Sequence, residues 1–241
     1  MDTSHYISAL RENGAALADA AEGNLDRPVP SCPGWNVADL VWHTGEVHRF
    51  WLAIAVGDIS GPQDYTEPDR PADDDLLGWY RDGLEETARA LSGMDPSAER
   101  WTWAPQKNAG FIQRRMAQET LVHAWDARNA VGRAIELPAD LAADGVDEFL
   151  AFMLALGSGP PEGFDAVVCL RAADSGRAWT VDPSAGTWRT RPVAEDGATT
   201  TVEGTASDLL LLLWGRTDTS RVRVDGDGDA LATLLAAAGT E

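Results

Sequence analysis

The segment GSGPPEGF (157–164) constrains the fold of this chain most, because the sequence pattern changes there. Before it, hydrophobic residues recur at helical spacing over long stretches. After it, they fall in short runs of β-type composition separated by turn residues. Since glycine and proline punctuate secondary structure, we place a domain boundary in this segment. The sequence therefore predicts a helical domain over 1–157 and a small α+β domain over 164–241.

The N-terminal part is predicted to be a four- or five-helix bundle. Asn36, with Asp39 three residues later, has the pattern of a capping box at the start of the second helix. That helix is predicted to run to about Val56 and to end at Gly57. The other helices are predicted over about 3–22, 76–93, 111–131 and 138–156.

The C-terminal part is predicted to combine short strands with two helices. The leucine-rich stretch at 207–216 is predicted to be a helix capped by Ser207, and 229–239 a closing helix. Five runs have the composition and length of strands, at 165–173, 177–183, 187–193, 199–204 and 221–226.

The charge balance excludes some classes of partner. The chain carries 19 basic and 39 acidic residues, a formal net charge of −20. Such a surface repels nucleic-acid phosphates and anionic membranes, so neither partner is expected. No apolar run approaches the roughly 20 residues that span a bilayer. Two distant cysteines and an N-terminus without a signal-peptide pattern predict a cytoplasmic protein.

Glu119 and His123 are the strongest functional signal in the residues themselves. They lie four positions apart within the predicted helix at 111–131, which places both side chains on one helical face. His43 lies in the second helix, and two facing helices of a bundle could bring it to the same place. Two histidines and one carboxylate with an open position are typical of catalytic zinc. The alternative is that all three are ordinary helix residues.

Three residues close in sequence to these candidates are weaker candidates for the same site. Asp126, three residues after His123, is either an acceptor that orients the imidazole or a surface acid. Glu46 shares a helical face with His43 and is a spare ligand or base. His48 lies five positions from His43, about 140° around an ideal helix, and is therefore a poor co-ligand.

Two arginines and one cysteine are further candidates for reactive or substrate-binding groups. Arg115 precedes Glu119 by four residues, so it either clamps a substrate carboxylate or forms a helix ion pair. Arg216 follows the leucine-rich helix and matters only if the two domains share a cleft. Cys32 lies in a Pro/Gly-rich turn, and a structural role explains it adequately.

Two segments together resemble the mycothiol-dependent maleylpyruvate isomerase family. They are SCPGWNVADLVWHTGEVHRF (31–50) and RRMAQETLVHAWDA (114–127). The resemblance implies a DinB-like helical bundle followed by a small α+β domain similar to sterol carriers. It also implies that His43, Glu119 and His123 are the three zinc ligands, with the fourth position for water or the thiol of mycothiol.

The resemblance further implies that Arg216 matches a substrate-binding arginine of the family's C-terminal domain. Position 118 departs from the family pattern, since glutamine stands where histidine is common. Gln118 is not one of the three ligands, and this difference is compatible with another substrate.

The predicted function is that of an enzyme dependent on zinc or another divalent metal that uses the mycothiol thiolate. Its reaction is either cis–trans isomerisation of the maleylpyruvate type or S-transfer to a small electrophile. The electrophilic substrate is expected to be a carboxylate. Two alternatives stay open: a non-catalytic metal- or ligand-binding protein, and a zinc-dependent hydrolase of a small amide. The sequence does not choose between monomer and dimer.

Overall fold

The computed structural model describes residues 1–195 and 197–238 of the chain. It divides into two compact units, Met1–Ile135 and Glu136–Glu241. The first unit is helical and the second combines a mixed sheet with helices. The predicted fold class, α followed by α+β, is confirmed.

The first unit is a bundle of four helices. Helices α1 and α2 each pack against both α3 and α4, and leucine, isoleucine and aromatic side chains fill the interior. None of the described helices of the chain is both long enough and apolar enough to cross a membrane. The four bounds are α1 (Thr3–Ala21), α2 (Val37–Val56), α3 (Asp73–Ser92) and α4 (Ala109–Ala130).

The start of α2 has the predicted capping box. The Asn36 side chain accepts a hydrogen bond from the Asp39 backbone N–H at 2.9 Å, and the Asp39 carboxylate accepts one from the Asn36 N–H at 3.0 Å. The helix ends before Gly57, whose φ of 86° is left-handed and suits glycine. Both ends of the helix that carries His43 are therefore specified locally.

The fifth helix lies in the second unit, which begins at Glu136. The sequence predicts the boundary later, at 157–164. Helix α5 (Ala139–Glu148) continues through one π-helical turn (Phe149–Met153) to Leu154–Leu156. It packs against α6 (Ala206–Leu213), and the backbone N–H of Leu137 donates to Ser207 Oγ at 2.9 Å. Its apolar face is thus covered by the leucine-rich helix of the same unit.

The second unit is built on a five-stranded sheet of order β3-β2-β1-β4-β5. Strands β1 and β4 run parallel, with Leu170 opposite Val202, and every other neighbouring pair is antiparallel. Helix α7 (Gly228–Ala237) follows β5, and its predicted end at Gly239 lies outside the described residues. The strands are β1 (Val168–Ala172), β2 (Ala178–Ser184), β3 (Thr187–Arg191), β4 (Thr200–Gly204) and β5 (Arg223–Gly226).

The predicted cap of α6 at Ser207 is wrong. Thr205 is the cap, and its hydroxyl accepts from the Asp208 backbone N–H at 3.0 Å. Ser207 is buried and accepts from Leu137 instead. Since threonine, like serine, caps helices well, composition alone did not separate the two positions.

Replacement of Asn36 by alanine is expected to lower the free energy of unfolding by about 1 kcal/mol, because the Asp39 backbone N–H loses its side-chain acceptor, whereas the backbone N–H of residue 36 still donates to the Asp39 carboxylate. Urea unfolding followed by tryptophan fluorescence measures the effect. Asn36→Ser keeps an acceptor at the cap and should stay close to wild type. Equal loss in both variants would contradict this account of the cap.

Candidate metal site

Helices α2 and α4 bring the three predicted ligands together. One donor atom each from His43, Glu119 and His123 lies within 4.8 Å of the other two. The imidazole rings of His43 and His123 meet edge to face, with centroids 5.2 Å apart. Because α2 packs directly against α4, the i, i+4 pair and the distant histidine converge as predicted.

Glu119 lies at the centre of this cluster, and its two oxygens have different partners. Oε1 faces both histidines, 3.1 Å from His123 Nε2 and 3.4 Å from His43 Nε2. Oε2 accepts from the Arg115 guanidinium at 3.0 Å. Burial alone would raise the pKa of Glu119, but His123, His43 and Arg115 overcome it and hold that pKa well below its usual range. The carboxylate is therefore ionised.

His123 is oriented by a second carboxylate. Its Nδ1 lies 3.0 Å from Asp126 Oδ2, and Asp126 is fully buried. Burial would lower the pKa of His123, but Glu119 and Asp126 together raise it to about 9. Asp126 thus has the orienting position that was one of its two predicted roles.

The donor set fits a divalent metal. Because His123 Nδ1 donates to the Asp126 carboxylate, Nε2 of the neutral ring carries a lone pair that faces Glu119 Oε1. Two acceptors 3.1 Å apart need a proton or a cation between them. Imidazole nitrogens and a carboxylate oxygen are ligands that zinc prefers. His43, Glu119 and His123 are the residues that could hold it.

The loop between α1 and α2 contacts His43 directly and is linked to His123 through Asp126. The Ser31 hydroxyl donates to Asp126 Oδ1 at 2.6 Å, and Cys32 Sγ lies 3.9 Å from Asp126 Oδ2. The Trp35 ring lies 5.0 Å from the His43 ring. Ser31 and Trp35 were not predicted to belong to the site. The sequence feature that could have indicated them is the segment SCPGW, which lies directly before the helix that contains His43.

His48 and Glu46 lie on different sides of α2. His48 is fully buried, its Nε2 lies 2.8 Å from Thr120 Oγ1, and burial lowers its pKa to about 4. It is outside the cluster, as its helical angle predicts. Glu46 is half-buried, and burial raises its pKa. Glu46 is not one of the three clustered ligands.

The two arginines lie in different units. Arg115 is only 4% exposed and donates to Glu119, which favours the ion-pair interpretation over a substrate clamp. Arg216 belongs to the second unit, where its guanidinium donates to the Trp214 carbonyl at 2.8 Å and lies over the Trp214 ring. A substrate-binding role for Arg216 stays a prediction.

A cavity of about 530 Å³ borders the cluster, and His43 forms part of its wall. The His43 side chain is 36% exposed, whereas that of His123 is 10% exposed. His43 therefore joins the buried cluster to a space that a small molecule can enter. The cavity is lined by Trp35, Asp39, Trp42, His43, Glu46 and Glu67.

Two family models match the chain. Residues 7–128 match the mycothiol maleylpyruvate isomerase N-terminal domain, and residues 140–233 match the C-terminal domain of the same family. Together they cover most of the chain and agree with the two units of the structure. The chain belongs to the mycothiol-dependent maleylpyruvate isomerase family, a family of enzymes.

Solved structures support the same fold. A crystal structure of the mycothiol-dependent maleylpyruvate isomerase matches with a TM-score of 0.65 at 13% identity. A histidine-to-alanine mutant of that enzyme matches with a TM-score of 0.64 at 12% identity. Each match covers 93% of this chain and 93% of the other. No curated protein sequence matches significantly.

The charged His123 is expected to stabilise the metal-free protein below pH 6.5 and to stop doing so as the pH rises through about 9. The sign follows from the higher pKa of His123 in the folded than in the unfolded state. Protonation of such a group stabilises the folded protein, and this stabilisation is lost once the group is deprotonated in both states. The loss should be on the order of 2–3 kcal/mol between pH 6.5 and 9.5.

Urea unfolding of chelator-treated protein across that pH range measures this effect. The His123→Gln variant, which has no imidazole to titrate, is the control and should show a flatter profile. An equally steep decline in both proteins would show that other groups cause the pH dependence.

Proposed function

We propose that this chain is a metal-dependent, mycothiol-using enzyme that isomerises a small cis-unsaturated substrate of the maleylpyruvate type, with zinc as the expected metal. The observation that carries the proposal is the convergence of His43, Glu119 and His123 within 4.8 Å. Membership of the isomerase family supports the reaction class.

The ligand set favours a catalytic over a structural metal. Structural zinc usually has four protein ligands, often cysteines, whereas catalytic zinc has three and keeps one position open. Here the described residues offer three ligands and no cysteine among them. The partly exposed His43 at the cavity wall is the side from which a thiol or substrate can approach.

The chemistry divides between the bound groups and the chain. A divalent metal would lower the pKa of a thiol that reaches it and so provide a thiolate at neutral pH. Mycothiol would supply the sulfur that adds to the cis double bond and leaves after rotation about the new single bond. The same thiol attack without expulsion would be an S-transfer, so analysis of the product separates the two reactions.

The residues of the chain hold this arrangement in place. Asp126 fixes the His123 imidazole with Nε2 towards the cluster, and Ser31 in turn holds Asp126. Arg115 occupies the Glu119 oxygen that faces away from the histidines. Trp35 packs against His43 and limits its ring orientation. Arg216 remains the proposed substrate-binding arginine of the second unit.

Purified wild type supplied with zinc is expected to retain about one metal per chain, and His123→Ala should lose it because one of three ligands is removed. Metal content by mass spectrometry measures this.

Wild type with zinc and mycothiol should convert maleylpyruvate to its trans isomer, whereas chelated protein should not. His48→Ala is a poor control because His48 is buried; His5→Ala removes an exposed histidine and should keep the metal.

A wild-type protein that binds no metal after zinc is supplied would overturn the metal-dependent mechanism. Turnover that persists without thiol would favour the hydrolase alternative. Metal binding without turnover of any tested electrophile would favour a binding protein.

Asp126→Asn is expected to weaken zinc binding about 10- to 100-fold, because the amide no longer holds the imidazole as a strong acceptor. Ser31→Ala should weaken it less, since the carboxylate that contacts His123 remains. Competition with a chromophoric chelator measures both affinities. Unchanged affinity in Asp126→Asn would remove Asp126 from the site.

A further inference from the structure

The cavity beside His43 has a wall of tryptophans and carboxyl groups. Two indoles supply flat aromatic surfaces, and three acidic side chains supply hydrogen-bond acceptors. No arginine or lysine is among the described residues that line the cavity. The wall therefore suits a ligand that has apolar faces and hydrogen-bond donors. Its residues besides His43 are Trp35, Trp42, Asp39, Glu46 and Glu67.

The Trp42 ring is held in place at this wall. It stacks on Trp79 with ring centroids 4.9 Å apart and planes 28° from parallel. Trp79 packs on Gly45, where a Cβ would lie 2.3 Å from the indole, and the Arg49 guanidinium lies 4.5 Å from the centroid of the same indole. An aromatic face carries partial negative charge, to which the weakly positive hydrogens of C–H groups are attracted. Trp42 is thus a fixed platform for the C–H face of a saturated ring.

Two of the three carboxyl groups have acceptor capacity to spare. Asp39 is engaged by the cap of α2 and by Arg70, which donates to it at 2.6 Å. Neither Glu46 nor Glu67 forms an ion pair with another residue in the described part of the chain. Burial raises the pKa of Glu46. Because a hydroxyl group donates to a carboxylate and accepts from a carboxylic acid, it can pair with Glu46 in either protonation state.

The cavity is large enough for a ligand of two linked rings, and it ends at the proposed metal ligands. Its volume of about 530 Å³ lies within the roughly 300–1,000 Å³ that is typical of small-molecule pockets. His43 belongs both to the cavity wall and to the cluster with Glu119 and His123. A molecule whose hydroxyl-bearing rings lie on this wall can therefore extend a reactive group towards the cluster.

We propose that this cavity is the subsite for the polyhydroxylated part of mycothiol, in which a glucosamine and an inositol ring carry the acetylated cysteine. The inference rests on the proposed function and assigns its thiol cosubstrate to one wall of the site. Trp35 and Trp42 contact the C–H faces of the two rings, while Glu46 and Glu67 pair with their hydroxyl groups. The carboxylates of a maleylpyruvate-type substrate need cations, which this wall lacks, so the substrate and the rings of the thiol occupy different places.

A thiol that lacks the two rings tests the proposal. N-acetylcysteine methylamide has the reacting part of mycothiol and no hydroxyl group. Both thiols are offered to zinc-loaded wild type with maleylpyruvate, and the uncatalysed rate with each thiol is subtracted. The kcat/KM for mycothiol should be about 100-fold higher, because the aromatic platform and two hydrogen bonds act only on the rings. Equal values for the two thiols would overturn the proposal.

Loss of the wall contacts should reduce this preference for mycothiol. In Glu67→Ala and in Trp42→Leu, the ratio of the two kcat/KM values should fall about tenfold, mainly through a higher KM for mycothiol. Glu67→Gln keeps one acceptor oxygen and should retain most of the preference. Glu12→Ala removes an exposed carboxylate that does not line the cavity, and this control should keep the wild-type ratio. An unchanged ratio in Glu67→Ala and Trp42→Leu, or equal loss in Glu67→Gln and Glu67→Ala, contradicts the assigned contacts.

A binding measurement separates failure of this inference from failure of the proposed function. S-methyl mycothiol, whose sulfur cannot form a thiolate, and the S-methyl form of N-acetylcysteine methylamide are titrated into metal-free protein in a calorimeter. The first compound should bind at least about tenfold more tightly than the second, and Trp42→Leu should reduce the difference. If this result is obtained while no thiol supports turnover, the proposed function is wrong and the subsite stands. Equal binding of the two compounds, or binding of neither, contradicts the inference even where mycothiol supports turnover.

Discussion

The largely buried carboxylate of Glu119, whose side chain is 17% exposed, forms the interactions on which the polar interior of the N-terminal unit depends. An ionised carboxylate between packed helices loses most of its hydration, which costs several kcal/mol unless opposite charges and hydrogen bonds replace the water. Here Arg115 occupies one oxygen, and the other faces His43 and His123. A bundle that needed only stability would do as well with apolar side chains at these positions. This supports the proposal that the cluster is a functional site.

The loop before α2 extends this arrangement beyond the helices. It reaches His123 through Ser31 and Asp126, and it reaches His43 through the Trp35 ring. A single short segment thus restrains two side chains that come from different helices. This explains in physical terms why the turn and the helix that follows form one recognisable motif: the turn supplies the outer contacts and the helix supplies the histidine.

The sequence predicted correctly those structural features that depend only on residues close together in the chain. The capping box at Asn36 and the i, i+4 pair on α4 depend only on neighbouring residues, and both were predictable. The position of α5 was not, because an amphipathic pattern shows that a face is buried without showing what covers it. The buried state of Arg115 and the contact of Ser31 with Asp126 depend on tertiary packing, which spacing alone does not encode.

The distance along the chain between the parts of the site has a consequence for the order of folding. Ser31 and Asp126 are 95 residues apart, and the histidines come from helices separated by α3. Contacts between residues so far apart in sequence form only after the intervening chain has brought them together. Glu119 and His123, in contrast, come close as soon as helix α4 forms. A nascent bundle thus presents two of the three proposed ligands early and the complete set only when α2 and its loop have docked. Metal retention would then report on completed assembly of the bundle and not on helix formation.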